Sequence, residues 1–506
     1  MEKSIALICL GLVFLNVYLF TNEDRALYQQ FKDQTSITAT VSLLDKIAPW
    51  ADRFSQLKSM HLKVHQTQIP EALGRFTNLE KLSVSVLYKG NKTLVLPKSI
   101  GALTQLKVLN LQACNIKQLP FEIGRLNLLE EVYLNNNELE YLPEEVANWT
   151  ALKKIDLSHN NLVRLPTGVG SWTELEDIFL NNNQLKSLPN EIGSWKKINY
   201  LYLNTNQLES LPNSIKNLTN LKGLYIESNQ FKGISIEVAQ LERLEDILAK
   251  RNQIDSLVNV DKWRLPRLKH LDLSFNRLVK LPSSIQQLKT LTSLQLNRNW
   301  LETLPSSIGQ LKELKTLSVA NNGLKELPLG MGELKSLNRL NLRDNHLTVL
   351  PSDFCALSQL EKLDLSNNQL KKLPANLGNL QALYELNLNN NQLRILPTSL
   401  GDLKRLFSLY LRSNQLIELP NSIGNLSMLS ALDLNYNRLI LLPETIGGLK
   451  QLKTLELTSN RLKTLPTSIV QLKKLKTLSI EQNANPNYYN MVDELQHALP
   501  STIIEY

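Results

Sequence analysis

Leucine and isoleucine recur at fixed intervals along most of this chain, with polar residues between them. In one representative stretch the apolar positions are Leu360, Leu363, Leu365, Leu370 and Leu373. The central alternation of apolar and polar residues predicts a short strand with one buried face. The apolar residues that follow suit a short helical or 3₁₀ turn, which returns the chain to the next parallel strand.

A polar residue recurs within this frame, three positions after the second strand leucine. It is asparagine at sixteen of seventeen positions, and every step is 23 residues except one of 24. These ladder positions are Cys114, Asn137, Asn160, Asn183, Asn206, Asn229, Asn252, Asn276, Asn299, Asn322, Asn345, Asn368, Asn391, Asn414, Asn437, Asn460 and Asn483. A fixed period of this length is typical of a stacked array rather than of a globular core.

The ladder residues are predicted to be structural. Asparagine can offer both a carbonyl and an amide to backbone groups, and each buried polar group left unpaired costs about 1–3 kcal/mol. We therefore assign the column no binding role, and Cys114 is expected to share its structural role. Trp149, Trp172 and Trp195 also recur at 23 residues, each in place of a return-segment leucine, which predicts a packed aromatic column.

The complete frame is L-x-x-L-x-L-x-x-N-x-L followed by x-x-L-P-x-x-I-G-x-L, and it resembles the leucine-rich repeat family. The resemblance covers roughly residues 57–483. The 23-residue L-P-x-x-I-G form is similar to bacterial repeats and to the intracellular plant and animal repeats related to Ras-binding scaffolds. The resemblance implies an α/β solenoid. Its expected form is a right-handed horseshoe with a concave parallel β-sheet and short helical, 3₁₀ or extended convex segments.

Departures from the frame divide the chain into regions. The apolar run at residues 4–20 predicts a signal peptide or anchor, and the alternative is a buried helix of the cap. The regions are a leader at 1–20, a helical N-terminal cap at 21–56, the repeat array at 57–483 and a C-terminal cap at 484–506. The array is irregular at 57–97 and 230–268. The second irregularity fits either a seam between two regular blocks or a drifted duplication junction.

The net charge narrows the class of partner, and the cysteines narrow the type of repeat array. The net charge is +9, from 56 basic and 47 acidic residues, and the interspersed acids argue against a nucleic-acid-binding stripe. The three cysteines are Cys9, Cys114 and Cys355. The last two are too many repeats apart to form a bridge. The lack of disulfide caps favours a bacterial or intracellular type of array.

In this family the side chains beside the strand leucines face the concave surface, at six, four, two and one residues before the ladder position. These columns contain an early aromatic group and a later basic group. The predicted partner-binding residues are Tyr133, Phe179, Tyr200, Tyr202, Tyr225, Lys250, Arg251, Arg298, Arg343 and Arg412. Large rings favour interface hot spots, and arginine suits paired recognition of carboxylates. The alternative for the rings is cross-strand packing.

The sequence contains no Gly-rich phosphate loop, no cysteine pair at zinc spacing and no recognisable catalytic triad. We therefore predict no enzyme, no cofactor and no metal site. The prediction is a protein–protein interaction module that binds a macromolecular partner on its concave sheet, exported or membrane-anchored at the cell envelope. Two alternatives stay open: a cytoplasmic Ras-group-like signalling scaffold, and an envelope adhesive protein that binds polysaccharide. Membrane contact is expected only through residues 4–20.

Overall fold

The computed structural model describes residues 22–87, 92–484 and 488–506. The chain divides into two compact units, unit 1 ending at Gln230 and unit 2 running from Phe231 to Tyr506. The border falls at the start of the irregular segment 230–268. The predicted leader, residues 1–20, lies outside the described residues. Within the described part of the chain, no helix is long and apolar enough to cross a membrane.

Unit 1 opens with the region that the sequence assigned to a helical cap. The hydroxyl oxygen of Thr40 accepts a hydrogen bond from the Leu43 N–H and caps the second helix. A strand that the helical pattern did not predict pairs in parallel with the first repeat, with Ile37 opposite Met60. The elements are helix α1 (Asn22–Phe31), strand β1 (Ser36–Thr40), helix α2 (Val41–Ile47) and a 3₁₀ helix (Ala48–Arg53).

The repeats of unit 1 each add one strand, and consecutive strands pair in parallel. These strands are β2 (Ser59–Val64), β3 (Lys81–Val86), β4 (Val108–Asn110), β5 (Glu131–Tyr133), β6 (Lys154–Asp156), β7 (Asp177–Phe179), β8 (Tyr200–Tyr202) and β9 (Gly223–Tyr225). The 3₁₀ helices that return the chain are Glu71–Arg75, Lys98–Ala102, Phe121–Arg125, Glu144–Asn148, Thr167–Ser171, Asn190–Ser194 and Asn213–Asn217. The predicted order of a short strand followed by a 3₁₀ turn is therefore present.

Unit 2 repeats this order and ends with helix α3 (Tyr488–Ala498) and a last strand outside the motif. Its strands are β10 (Asp246–Leu248), β11 (His270–Asp272), β12 (Ser293–Gln295), β13 (Thr316–Ser318), β14 (Arg339–Asn341), β15 (Lys362–Asp364), β16 (Glu385–Asn387), β17 (Ser408–Tyr410), β18 (Ala431–Asp433), β19 (Thr454–Glu456), β20 (Thr477–Ser479) and β21 (Ile503–Glu505). Its 3₁₀ helices are Val238–Gln240, Val260–Lys262, Ser283–Gln287, Ser306–Gln310, Met331–Glu333, Phe354–Ala356, Leu377–Asn379, Thr398–Asp402, Asn421–Asn425, Glu444–Gly448 and Thr467–Gln471. The predicted solenoid with a parallel sheet is confirmed in both units.

The ladder asparagines from Asn137 to Asn460 lie in the interior and bond to the backbone of two adjacent repeats. The Nδ2 of Asn368 donates to the Leu342 carbonyl at 2.9 Å and to the Leu365 carbonyl at 3.0 Å. Its Oδ1 accepts from the Leu347 N–H at 3.0 Å. One side chain thus bonds to three buried backbone groups. The two carbonyls are shared along the ladder, since Leu342 also accepts from Asn345 and Leu365 from Asn391.

Three tryptophans form the predicted aromatic column in unit 1. The Trp149 and Trp172 ring centroids are 6.2 Å apart, and those of Trp172 and Trp195 are 6.3 Å apart, with the planes nearly parallel in both pairs. All three side chains are fully buried. The Nε1 of Trp172 donates to the Val146 carbonyl at 2.9 Å, so the polar atom of the ring is also satisfied.

The two described cysteines should be chemically inert in the native protein. Burial raises the pKa of Cys114 to about 12 and that of Cys355 to about 11. Both thiols therefore stay protonated at pH 8, and the thiol is the unreactive form. We expect a Cys9→Ser variant, which retains only these two cysteines, to react with a thiol reagent at pH 8 only after denaturant is added. Rapid modification of both thiols in native buffer, followed by absorbance, would contradict this.

Candidate functional site

The candidate site is the sheet face, formed by the side chains six, four, two and one residues before each ladder position. The parallel register brings equivalent positions of neighbouring strands side by side, so that Tyr202 lies opposite Phe179 on one side and Tyr225 on the other. Neighbouring strands are about 4.8 Å apart. Side chains of adjacent repeats can therefore form continuous clusters.

Four of the five predicted rings form one aromatic cluster in unit 1: Phe179, Tyr200, Tyr202 and Tyr225. Ring centroids are 5.1 Å apart for Phe179 and Tyr202 and 4.8 Å apart for Tyr202 and Tyr225, both with an interplanar angle of 13°. Tyr200 stacks on Tyr225 at 6.3 Å and is 38% exposed. The rings hold one another in place because each contacts at least one neighbour face to face.

Tyr133 joins this group through a lysine that the sequence reasoning missed. The Lys154 Nζ lies 5.7 Å from the Tyr133 ring centroid and 5.9 Å from that of Phe179, which places a cation between the two rings. The Tyr133 hydroxyl donates to Glu131 Oε2 at 2.8 Å. Burial and this bond raise the pKa of Tyr133 to about 12, so the phenol stays protonated. The signal in the sequence was a basic residue on the strand between two aromatic positions.

Gly223 makes room for the aromatic cluster and was also missed. A Cβ atom at this position would lie 2.7 Å from Tyr200 Cδ1 and 2.8 Å from the Tyr225 hydroxyl oxygen. Its neighbour in the same column on the preceding strand is Tyr200, which leans across the space that a side chain would fill. A glycine in a column of larger residues was the sequence signal for this packing.

The column that holds Phe179, Tyr202 and Tyr225 has another use elsewhere in the array. There, an Asp or Asn oxygen accepts a hydrogen bond from the backbone N–H two residues later, which stabilises the strand exit. The pairs are Asn110 with Gln112, Asp156 with Ser158, Asp272 with Ser274, Asn341 with Arg343, Asp364 with Ser366, Asn387 with Asn389 and Asp433 with Asn435. Phe179, Tyr202 and Tyr225 lack the oxygen that accepts this bond, so the repeat fold itself does not require aromatic rings here.

Three of the predicted basic residues converge in unit 2 on Phe275. The Lys250 Nζ and the Arg251 Cζ each lie 5.2 Å from the Phe275 ring centroid, and the Arg298 Cζ lies 5.0 Å from it. We call Lys250, Arg251, Phe275 and Arg298 the cationic cluster. The columns placed these residues on one face, but the position of Phe275 at their centre was not apparent from the sequence.

The other two predicted arginines are engaged separately. Arg343 Nε lies 2.9 Å from Asp344 Oδ2, and Asp344 Oδ1 accepts from Asn367 Nδ2 at 2.6 Å. Arg412 Cζ lies 4.6 Å from the Tyr436 ring centroid.

Among the described residues, no group of three or more His, Cys, Asp or Glu side chains is placed to hold a metal ion. The predicted residues of the sheet face thus comprise an aromatic group in unit 1 and a basic group in unit 2.

Comparison with family models identifies the class of protein. The model described as leucine-rich repeat region matches residues 91–187, 248–348, 308–388 and 351–438, and the model described as leucine rich repeat matches residues 427–484. The chain belongs to the leucine-rich-repeat family. Comparison with curated protein sequences gives no match.

Solved structures of similar fold include a leucine-rich-repeat protein of Leptospira interrogans. It is 33% identical with a TM-score of 0.67, and the match covers 80% of this chain and 96% of that chain. The ectodomain of the Arabidopsis thaliana receptor kinase GASSHO1/SCHENGEN3, solved with CASPARIAN STRIP INTEGRITY FACTOR 2, is 30% identical with a TM-score of 0.62 over 85% of this chain and 54% of that chain. The Arabidopsis receptor kinase HAESA, solved with the peptide hormone IDA and the co-receptor SERK1, is 27% identical with a TM-score of 0.62 over 88% of this chain and 76% of that chain.

Proposed function

We propose that this protein is a non-enzymatic interaction module that uses the aromatic cluster of unit 1 to anchor a protein partner. One observation carries the proposal. At Phe179, Tyr202 and Tyr225 an aromatic ring stands where other repeats have an Asp or Asn side chain that accepts a backbone hydrogen bond. Aromatic side chains are enriched in interface hot spots, and in this cluster Tyr200 is exposed and the other three rings are half-buried. The two plant receptor kinases solved with bound partners support the same class of function for this fold.

The stacking geometry favours a protein over a polysaccharide. The facing surfaces of Phe179, Tyr202 and Tyr225 are 5.1 and 4.8 Å apart at their centroids, so these faces are occupied by one another. A sugar ring that stacks on an aromatic side chain needs a free ring face. Because the stacking contacts already order the cluster, binding a partner costs little conformational entropy.

We further propose that the protein is exported or anchored at the cell envelope. Support comes from the apolar run at residues 4–20 and from one structural neighbour, which is a receptor ectodomain. The alternative, a cytoplasmic Ras-group-like scaffold, requires full-length protein in the cytosol. Mass spectrometry of the N-terminus in each cell fraction distinguishes the two, because cytosolic protein that keeps residues 1–20 would exclude export.

Affinity capture from native lysate and surface fractions tests the aromatic anchor. The test variant replaces Tyr133, Phe179, Tyr202 and Tyr225 with alanine. We expect a partner to be retained by the unmodified chain and lost from this variant, because its rings supply the contact area. An unchanged list of captured proteins would contradict the proposal.

Two further variants separate loss of binding from loss of folding. The control replaces Tyr384 and Phe407, a second stacked pair whose centroids are 5.0 Å apart and which lies outside the sheet-face columns; it should retain the partner. Gly223→Ala keeps every ring but forces Tyr200 or Tyr225 to move, and we expect it to weaken binding by about tenfold, or about 1.4 kcal/mol. Thermal melting monitored by circular dichroism verifies that each variant is folded.

A further inference from the structure

Lys250, Arg251 and Arg298 place three positive charges around one phenylalanine ring, at 5.0–5.2 Å from its centroid. Among the residues that the structure describes, no carboxylate lies within ion-pair distance of any of the three. Like charges this close repel one another, and the face of the Phe275 ring offsets only part of that repulsion. A negative group placed among them would remove it.

The backbone gives an independent reason to regard these side chains as functional. Arg251, Phe275 and Arg298 directly precede ladder positions in three consecutive repeats, and their φ angles are 57°, 58° and 53°. This left-handed conformation costs an L-residue about 1–2 kcal/mol, and asparagine tolerates it best. Five other repeats place asparagine here, at Asn136, Asn182, Asn321, Asn367 and Asn390. Most of the remaining repeats place Ala, Ser, Thr, Asp or Gln, and His159 and Tyr436 are the other ring residues at this position. The bulky side chains therefore do not serve local stability.

An apolar group lies close by in the sequence. Trp300 follows Arg298 by two residues, and its side chain is 60% exposed. Tryptophan and arginine are the residue types most enriched where interfaces gain their binding energy. With the half-buried Phe275 ring, this composition suits a ligand that carries an apolar group beside its negative charge.

Acidic residues on the same face limit how long a negatively charged ligand can be. Asp246 and Asp272 lie on the two strands that lead into Arg251 and Phe275, and Asp246 Oδ1 lies 2.5 Å from His270 Nδ1. A long polyanion laid across these strands would meet both carboxylates. A short acidic segment can contact the three cations without approaching them.

We propose that the cationic cluster is a second binding site, which takes an acidic peptide segment with an apolar residue next to its carboxylates. Arg251 and Arg298 would contact the carboxylates, because guanidinium groups bind them in paired geometry. Phe275 would contact the apolar residue. This site is separate from the aromatic cluster and does not depend on it.

The test uses the full chain and three pools of random peptides of equal length, one acidic, one neutral and one basic, all with the same apolar content. We expect the immobilised protein to retain the acidic pool in preference to the neutral pool. An Arg251→Gln, Arg298→Gln variant should lose about tenfold in retention. An Arg394→Gln, Lys463→Gln variant removes the same charge from exposed positions outside the sheet face and should retain the acidic pool within about twofold, since general attraction is weak and screened by salt.

Phe275→Asn distinguishes a binding role from a structural one. We expect it to lose retention of the acidic pool while its urea midpoint stays equal or rises, because asparagine suits the left-handed backbone. A Tyr202→Ser, Tyr225→Ser variant should keep the acidic pool, which separates this site from the aromatic anchor. Equal retention of the acidic and neutral pools, or equal losses in the test and control variants, would overturn the proposal. Stronger retention of a heparin oligosaccharide than of any peptide, lost in the same variant, would reassign the site to a polyanion and overturn it as a peptide site.

Discussion

Replacing Trp172 with alanine is expected to lower the free energy of unfolding of unit 1 by about 3–5 kcal/mol. The side chain is fully buried between Trp149 and Trp195, so alanine leaves a cavity against both rings. It also leaves the Val146 carbonyl without the Nε1 donor that bonds to it at 2.9 Å. Urea denaturation, combined with hydrogen exchange of the unit 1 peptides, measures the loss.

Trp172→Leu is the matched control, because leucine occupies the equivalent return-segment position at Leu126 and Leu218. Leucine fills part of the cavity, and we expect it to cost clearly less than alanine. Equal destabilisation by both substitutions would show that cavity volume is not the cause. The loss would then come from the ring contacts and the Nε1 hydrogen bond, which both variants lack. A negligible effect of alanine would refute the packing argument altogether.

Asn299→Ala should also be damaging in unit 2, at about 1–3 kcal/mol. The Asn299 Nδ2 donates to the Leu273 carbonyl at 2.9 Å and to the Leu296 carbonyl at 3.0 Å, and its Oδ1 accepts from the Leu278 N–H at 2.9 Å. The Leu278 N–H would be left unpaired, which costs about 1–3 kcal/mol. The two carbonyls would each keep one bond, Leu273 from Asn276 Nδ2 and Leu296 from Asn322 Nδ2. The shift in urea midpoint measures the total, and the loss of exchange protection should centre on the adjacent repeats.

Cysteine offers a graded comparison at the same position, since Cys114 already occupies the first ladder site. Its Sγ donates to the Val84 carbonyl at 3.5 Å and the Gln112 carbonyl at 3.4 Å. Asn299→Cys should therefore destabilise unit 2 less than alanine does. If cysteine and alanine proved equally harmful, carbonyl satisfaction would not be the reason that the ladder needs a polar side chain.

The repeat period alone was sufficient to predict most of the fold. Because every repeat buries the same positions, Leu363 at the centre of β15 could be placed from the motif alone. Strands β1 and β21 could not, since neither carries the motif. The alternation in β1 spans only Ser36–Thr40, between two helical segments. Strand β21 is three residues long and becomes recognisable only through its pairing with β20.

The site was predicted less completely, because its contacts depend on side-chain conformations. The columns correctly assembled Phe179, Tyr202 and Tyr225 in one row, since register alone determines that neighbourhood. They did not indicate that Lys154 reaches two rings or that Arg343 would pair with the adjacent Asp344. Nor did they identify the left-handed backbone before each ladder position, which makes the bulky residues of the cationic cluster locally unfavourable.

The ladder also has a consequence for folding kinetics and for change in chain length. Its bonds between neighbouring repeats join residues 21 to 27 positions apart. Contact order therefore does not grow as repeats are added, and within each unit folding can start in any repeat and spread to its neighbours. Whole repeats can be duplicated or deleted without altering bonds elsewhere. The 24-residue step before Asn276 shows that a single added residue is absorbed outside the ladder, because Asn276 Oδ1 still accepts from the Ile254 N–H at 2.9 Å.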